Sequence, residues 1–236
     1  TPLLPASMAV APSAGTPSRH RPARRRDLRP YARVVVRAYG LRKSAMTIGL
    51  FGGSFDPSHH GHLLVAQAAL EALHLEVVRF VPAREQPFKS GRHAASPEDR
   101  AQMVALAIRD EPRFALERVE LDRPGPSYTV DTLRELRRRE PGKEFAILVG
   151  ADTARDLTAW REAEQLPHLS RIVVFDRPGA ELPSLPWPIQ KVSAPVVDIR
   201  ATEIRKRVAT GRSIRYWVPD AVAEFILAKG LYFTDA

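Results

Sequence analysis

The sequence predicts an α/β fold in which a mostly parallel β-sheet carries helices on both faces. From residue 47 onward, short runs rich in β-branched residues alternate with segments of helical periodicity, which is typical of parallel strands joined by helical crossovers. The chain has 236 residues and is 44% hydrophobic, enough for the core of one such domain. We therefore expect a Rossmann-like, doubly wound domain that binds its ligands at the carboxyl ends of the strands.

Four strands are predicted from apolar, β-branched runs bounded by turn residues. The runs are TIGLF, VVRFVP, EFAILVG and RIVVF, at 47–51, 77–82, 144–150 and 171–175. The first run leads directly into Gly52-Gly53. This glycine pair therefore marks the first strand end at which a ligand is expected.

Five helices are predicted from apolar periodicity and from signals at the helix ends. They cover 62–73, a segment that opens at 96–99, 128–140, 202–211 and 219–230. Ser96 is the expected N-cap of the second helix, with Pro97 at its first position. Gly211 and Gly230 are expected to stop the last two helices.

The net charge of +9 is concentrated in residues 1–46, which hold ten basic residues and one acidic residue, so the remainder is neutral overall. This Pro-, Ala-, Ser- and Arg-rich segment has little apolar periodicity and is predicted to be a disordered leader. A transit peptide, a basic tethering arm and a native start at Met46 are the explanations left open. We expect one folded domain over 47–236, without nucleic acid as a partner of that domain.

The composition excludes several classes of protein. The chain has no cysteine, so disulfide frameworks, thiolate zinc sites and cysteine nucleophiles are excluded, and a reducing compartment is indicated. No apolar run reaches the roughly 18–20 residues of a spanning helix. We expect a cytoplasmic protein without a membrane partner, and the oligomeric state, a homo-oligomer included, is left open.

The stretch GGSFDPSHHGH, at 52–62, concentrates residues suited to binding phosphate. Glycines let a backbone approach a ligand closely, and a helix N-terminus offers free N–H groups and partial positive charge. His59 and His62 are three residues apart, so both rings are expected on one side of the starting helix. A bare turn is the plain alternative for an isolated glycine pair, whereas zinc binding is disfavoured because helical pairs of ligands prefer i, i+4 spacing.

The stretch GGSFDPSHHGH resembles the signature of the nucleotidyltransferase superfamily that carries an HxGH sequence. A second signature of that superfamily, ISSTxIR, has its counterpart in IRATEIR at 199–205. The further blocks VPAREQPFK, PSYTVDTL, VGAD, AWREAEQL, DRPG and KGLY resemble bacterial nicotinate-nucleotide adenylyltransferases, over about 47–232. Residues 1–46 have no counterpart in this resemblance.

The resemblance implies attack by the 5′-phosphate of nicotinate mononucleotide on the α-phosphorus of ATP, with release of pyrophosphate. It implies Mg²⁺ carried mainly by the triphosphate, and no residue of the chain is singled out as a metal ligand. A phosphate monoester with a second pKa of about 6 is already largely dianionic at neutral pH, so a general base is unnecessary. The alternatives are a transferase of the same fold for nicotinamide mononucleotide or phosphopantetheine, and a catalytically silent nucleotide-binding protein.

The resemblance also implies roles for individual residues. His59, His62 and Arg205 are the expected catalytic residues. Residues expected around ATP are Gly52, Gly53, Ser54, Phe55, Gly61, Gly150, Asp152, Ile199 and Thr202. Lys89, Tyr128, Thr129 and Trp160 are expected around the mononucleotide.

Each of these roles has a plainer alternative. Arg205 could be an exposed helix arginine and Trp160 a core residue, while Asp152 could be a helix N-cap with or without a contact to ribose. The chain also departs from the pattern of the family at two positions. Phe88 stands where a histidine is usual, and Arg200 stands at the first serine of ISSTxIR, which puts one contact on each substrate in doubt.

Overall fold

The computed structural model describes residues 47–87, 94–176, 184–195 and 197–233. All of them lie in the second of the two units into which the chain divides, Arg42–Ala236. The predicted leader at 1–46, Phe88 and Lys89 lie outside the described residues.

One six-stranded sheet forms the centre of the molecule, with every described strand pair parallel. The strands are β1 Thr47–Gly53, β2 Val77–Pro82, β3 Phe114–Leu116, β4 Glu144–Gly150, β5 Arg171–Asp176 and β6 Gln190–Ser193. The four predicted strands are confirmed. Strands β3 and β6 were missed, because β3 has three residues and β6 contains one buried residue, Val192.

The strand order is β3-β2-β1-β4-β5-β6, so the sheet grows from β1 first in one direction and then, from β4, in the other. β1 pairs with β2 as far as Gly53↔Pro82, but it pairs with β4 only as far as Leu50↔Ile147. β1 and β4 therefore separate at their carboxyl ends. Such a reversal point is where doubly wound sheets bind ligands.

Seven α-helices connect and flank these strands within the described residues. They are α1 His60–Ala72, α2 Pro97–Ile108, α3 Thr129–Arg139, α4 Ala151–Ala154, α5 Leu166–Leu169, α6 Ala201–Ala209 and α7 Asp220–Lys229, with 3₁₀ turns at Leu157–Ala159 and Ala163–Gln165. The five predicted helices are confirmed, and the short helices α4 and α5 were missed. Ser96 caps α2 as expected, because its Oγ accepts the Asp99 N–H at 3.1 Å.

Helices cover both faces of the sheet, as predicted. Neighbouring residues of β4 face opposite sides, as the two-residue period of a strand requires. Ile147 and Val149 belong to the core cluster that contains residues of α3, whereas Ala146 and Leu148 belong to the cluster that contains residues of α1 and α2. A third cluster joins α2 to α6 and α7. Among the residues described, no helix has both the length and the apolar character needed to cross a membrane.

Candidate active site

The carboxyl ends of β1 and β4 open onto a crevice lined by glycine. A Cβ atom added at Gly52 or at Gly150 would meet no atom of the described residues within 4 Å. Gly52 precedes the turn into α1, and Gly150 is the N-cap residue of α4. Both backbones are therefore accessible to a ligand at the point where β1 and β4 separate.

His59 and His62 lie side by side at the start of α1. Their ring centroids are 3.6 Å apart and their planes differ by 22°, which confirms the expectation that both rings share one side of the helix. The helix begins two residues earlier than predicted, so His59 is its N-cap and His62 its third residue. The His59 N–H donates to His62 Nδ1 at 3.2 Å, which leaves the proton of a neutral His62 ring on Nε2.

Both imidazoles are neutral at pH 7 in the free protein. His59 is 6% exposed, and burial, followed by the charge of His60, lowers its pKa to about 4. Burial, followed by His59, also lowers the pKa of His62 well below the ordinary value. Each ring therefore offers a neutral N–H donor rather than a permanent positive charge.

Gly61 allows the two rings to stack. A Cβ atom at this position would lie 3.1 Å from His59 Nδ1 and 3.2 Å from His59 Cε1, so a side chain would displace the imidazole. The same Cβ position is 3.8 Å from the Ile199 carbonyl oxygen. The segments 52–62 and 199–205, far apart in sequence, therefore meet at the start of α1.

Two aromatic rings, of Phe55 and Phe51, pack against the ring of His62. The Phe55 ring is 2% exposed and its centroid lies 4.9 Å from that of His62, while the Phe51 centroid lies 6.0 Å from His62. Gly53 leaves room for this arrangement, since a Cβ atom there would lie 3.1 Å from the Phe55 ring. Phe55, expected near ATP, therefore has only its backbone available to a ligand.

Asp56 ties the loop before α1 to two distant parts of the chain. Its carboxylate accepts the backbone N–H groups of Ala94 at 2.8 Å and Ala95 at 3.2 Å, and the Tyr232 hydroxyl at 2.6 Å. Burial, followed by the Asp56 charge, raises the pKa of Tyr232. The Asp56 carbonyl oxygen accepts from Arg205 Nη1 at 2.7 Å. Because these partners lie far from Asp56 in the sequence, no local pattern indicates the contacts.

Arg100 holds the same loop from the core side. Its side chain is fully buried, and its guanidinium donates to the Ser54 carbonyl oxygen at 2.8 Å and to the Arg84 carbonyl oxygen at 3.3 Å. Burial lowers the pKa of Arg100, and the charge of Asp56 opposes that shift. A signal for Arg100 was present in the sequence, since it occupies the apolar face of α2 at helical spacing with Met103 and Val104.

The second signature, residues 199–205, contains the N-cap and the first residues of α6. Arg205 is half-buried and contacts the loop before α1, so its alternative interpretation as an exposed helix arginine is wrong. Thr202 is exposed in the first turn. Arg200, the N-cap residue, is exposed and its Nε donates to Asp198 Oδ1 at 3.0 Å. The departure from the family pattern at Arg200 therefore places an ion pair beside the site.

The residues expected around the mononucleotide are brought together at the start of α3. Tyr128 is the N-cap of α3, Thr129 is its first residue, and Trp160 ends the 3₁₀ turn Leu157–Ala159. Tyr128 and Trp160 are both partly buried against the same core cluster. The Arg161 guanidinium lies 4.8 Å from the centroid of the Tyr128 ring, a cation–π contact. Trp160 is only partly buried, so part of its side chain remains accessible.

The structure contradicts one of the two interpretations of Asp152 that the sequence left open. It is not a helix N-cap, because that position belongs to Gly150 and Asp152 lies in the first turn of α4. Its carboxylate is exposed and lies 3.8 Å from Arg155 Nη1. Such a surface ion pair stabilises little.

Comparisons with known proteins agree with this architecture. A family model described as cytidylyltransferase-like matches residues 50–207. Two probable nicotinate-nucleotide adenylyltransferases are similar to the chain. That of Thermus thermophilus is 51% identical over 187 residues, covering 79% of this chain and 100% of the relative, and that of Roseiflexus sp. is 46% identical over 199 residues, covering 80% and 99%.

A solved structure of Plasmodium falciparum nicotinic acid mononucleotide adenylyltransferase, complexed with NaAD, shares the fold. It superimposes with a TM-score of 0.68 at 20% identity and covers 80% of this chain and 98% of its own. The match to the bacterial relatives extends over nearly their whole length and over about 80% of this chain. The chain therefore belongs to the nicotinate-nucleotide adenylyltransferases.

Proposed function

We propose that this enzyme transfers the adenylyl group of ATP to nicotinate mononucleotide, giving nicotinic acid adenine dinucleotide and pyrophosphate. The observation that carries the proposal is the stacked pair His59 and His62 beside the separated ends of β1 and β4. Buried donors at a helix start, next to exposed glycine backbone, form an anion site. Bacterial relatives that are 46% and 51% identical to this chain carry the same activity in their names.

The chemistry needs donors more than it needs a base. In the proposed step, an oxygen of the mononucleotide 5′-phosphate forms a bond to the α-phosphorus of ATP as the bond to the β-phosphate oxygen breaks. The attacking phosphate has a second pKa of about 6 and is largely dianionic at pH 7. Because His59 has a pKa of about 4, a role as hydrogen-bond donor suits it better than proton abstraction. Catalysis then depends on positioning and on stabilising the developing charge.

Each residue expected around ATP has a proposed contact with that substrate. Backbone N–H groups of Gly52 and Ser54 and the rings of His59 and His62 would contact the phosphates. Arg205, already directed at the loop before α1 by its bond to the Asp56 carbonyl, would reach the β- and γ-phosphates. We assign the ribose to Asp152. The remaining residues proposed to line ATP are Gly53, Phe55, Gly61, Gly150, Ile199 and Thr202.

We further propose that ATP enters as its Mg²⁺ complex. Within the ranges that the structure describes, no group of three or more His, Asp or Glu side chains could hold a metal ion. The acidic group nearest the phosphate site, Asp56, is already used by two N–H groups and a hydroxyl. Mg²⁺ binds substrate phosphates readily and keeps several of its waters, so the ion is treated as part of the substrate.

The start of α3 would bind the nicotinate. The first-turn N–H groups of α3 and the Thr129 hydroxyl suit a carboxylate, and the accessible part of Trp160 suits a pyridine ring. Tyr128 would complete the pocket, and Lys89 is proposed to approach the mononucleotide phosphate. A carboxamide in place of the carboxylate would lose the charge and direct its NH₂ donors at protein donors.

A pyrophosphate-release assay with MgATP and a panel of acceptors tests the proposal. We expect release with nicotinate mononucleotide, and kcat/KM lower by at least about 10²-fold with nicotinamide mononucleotide, because unpaired buried donors and a lost charge-assisted bond each cost roughly 1–3 kcal/mol. Phosphopantetheine is the second competing acceptor. Release only with a competing acceptor would contradict the proposal, and so would ATP binding without release from any acceptor.

A further inference from the structure

A buried carboxyl group, Glu120, lies beneath the start of α3, and the activity described above does not use it. Glu120 is 7% exposed and lies in the connection between β3 and α3. Its Oε1 accepts the hydroxyl of Thr132 at 2.7 Å, and Thr132 is itself buried. Burial raises the pKa of Glu120, while hydrogen bonds from Thr132 and then Ser127 act in the opposite direction.

Glu120 accepts a hydrogen bond from Thr132, and the Ser127 hydroxyl acts on the pKa of its carboxyl group; these two residues lie on either side of Tyr128 and Thr129. Ser127 precedes the pair, and Thr132 follows it by one turn of helix, with its Oγ1 also 3.3 Å from the Tyr128 carbonyl oxygen. The carboxyl group of Glu120 is therefore bonded to one end of the six-residue segment 127–132, which contains the start of the proposed nicotinate pocket, and acts on the other end. Rigid placement of this kind is what a binding group needs from its supporting residues.

The segment is also fixed to the exit from β2. The Ser127 Oγ accepts the Arg84 N–H at 2.9 Å, and the Ser127 N–H donates to the Glu85 carbonyl oxygen at 2.9 Å. On the other side, Arg123 Nη2 lies 3.3 Å from Thr132 Oγ1. The start of α3 is therefore fixed to the exit from β2 through Ser127 and to Glu120 through Thr132.

We propose that Glu120 is a positioning residue for the mononucleotide: it holds the start of α3 in the orientation that binds nicotinate. The inference rests on the proposed function. It assigns Glu120 to the affinity for one substrate, because the contacts given above join Glu120 to the start of α3, and none of them reaches the His59 and His62 pair. Removing a group that supports ground-state and transition-state binding alike raises KM and leaves kcat nearly unchanged.

The test measures KM for each substrate, kcat and melting temperature in three variants. In Glu120→Ala, we expect KM for nicotinate mononucleotide to rise by at least about tenfold, with KM for MgATP and kcat within about twofold of wild type. In Glu120→Gln, the amide oxygen still accepts from Thr132, so most of the affinity should return. Leu136→Ala is the matched control, because Leu136 is buried on the same helix and makes no contact with Glu120 that the structure records.

The outcomes separate the possible failures. Unchanged KM for the mononucleotide in Glu120→Ala overturns the inference, and so does a rise in both KM values that Leu136→Ala reproduces. Should Glu120→Ala not fold, Thr132→Val decides: a rise of about threefold or more in the same KM supports the inference, and no rise overturns it. Failure of the wild type to use nicotinate mononucleotide would instead overturn the proposed function.

Discussion

The two ends of the candidate site are built differently. The phosphate end, residues 52–62 with Arg205, is held by three buried residues from elsewhere in the chain, Ala95, Arg100 and Tyr232. The pyridine end, residues 127–132 with Trp160, has Glu120 beneath it but exposed ion pairs above it, such as Arg161 with Asp131 at 3.3 Å. We propose that adenylyl transfer takes place at the more deeply anchored end and that the more open end selects the mononucleotide.

The largest expected effect lies at the phosphate end. We expect His62→Ala to lower kcat by at least about 10²-fold for any accepted mononucleotide, because it removes a donor used mainly in the transition state. His168→Ala, at an exposed helix position, is the control and should retain activity. Steady-state kinetics with a thermal melt would measure both. Near-normal turnover in a folded His62→Ala protein would remove His62 from the chemistry.

Acid should destabilise the phosphate end through His59. Its folded-state pKa of about 4 lies below the ordinary value of 6.5, so its contribution to stability is present above pH 6.5 and is lost as the pH falls towards 4. Between pH 7.5 and pH 5 this corresponds to about 2 kcal/mol of unfolding free energy, and His62 acts in the same direction. Denaturant titrations at both pH values should show the full loss in wild type and in His168→Gln, and a loss smaller by about 2 kcal/mol in His59→Gln, where His62 still contributes. An equal loss in all three proteins would contradict the assignment.

A smaller effect is expected where the C-terminal part of the chain meets Asp56. Tyr232→Phe removes one hydrogen bond to a buried carboxylate, which should cost about 1.5 kcal/mol of stability and leave the preference between mononucleotides unchanged. Tyr216→Phe is the control, since Tyr216 is 77% exposed. A shift in substrate preference in Tyr232→Phe would mean that the two ends are coupled, and equal melting temperatures for both variants would leave no stabilising role for the Tyr232 hydroxyl.

The smallest effect is expected outside both ends. Deleting residues 1–46 should leave kcat and the melting temperature nearly unchanged, because the excess of positive charge and the signals for strands and helices fall on opposite sides of Met46. The full chain is the reference in the same assays. Loss of most activity on deletion would show that the proposed domain boundary is wrong.

Local signals explain how much of this architecture could be predicted. The apolar strands β1, β2, β4 and β5 and the capped helix α2 follow from periodicity and end signals. The stacking of His59 on His62 follows from their three-residue spacing. In contrast, β6 pairs with β5 through mostly exposed residues, so its sequence resembles that of a loop.

The supporting residues could not be predicted, because their roles arise from contacts between distant segments. The Tyr232 hydroxyl reaches Asp56 across 176 positions, and Arg100 reaches Ser54 across 46. A buried charged residue looks in sequence like any surface arginine or glutamate until its partners are known. Glu120 is the clearest case, since its partners Ser127 and Thr132 are ordinary helix-start residues in the sequence.

The division between the two ends is tested most directly by the preference for nicotinate over nicotinamide mononucleotide, measured as a ratio of kcat/KM values in wild type, His62→Ala and Thr129→Val. We expect a ratio of at least about 10² in wild type. In His62→Ala, kcat/KM should fall for both mononucleotides and the ratio should stay similar. In Thr129→Val, which loses one hydroxyl facing the carboxylate, the ratio should fall by about tenfold or more. A ratio that falls in His62→Ala, or stays constant in Thr129→Val, would contradict this division of roles between the two ends.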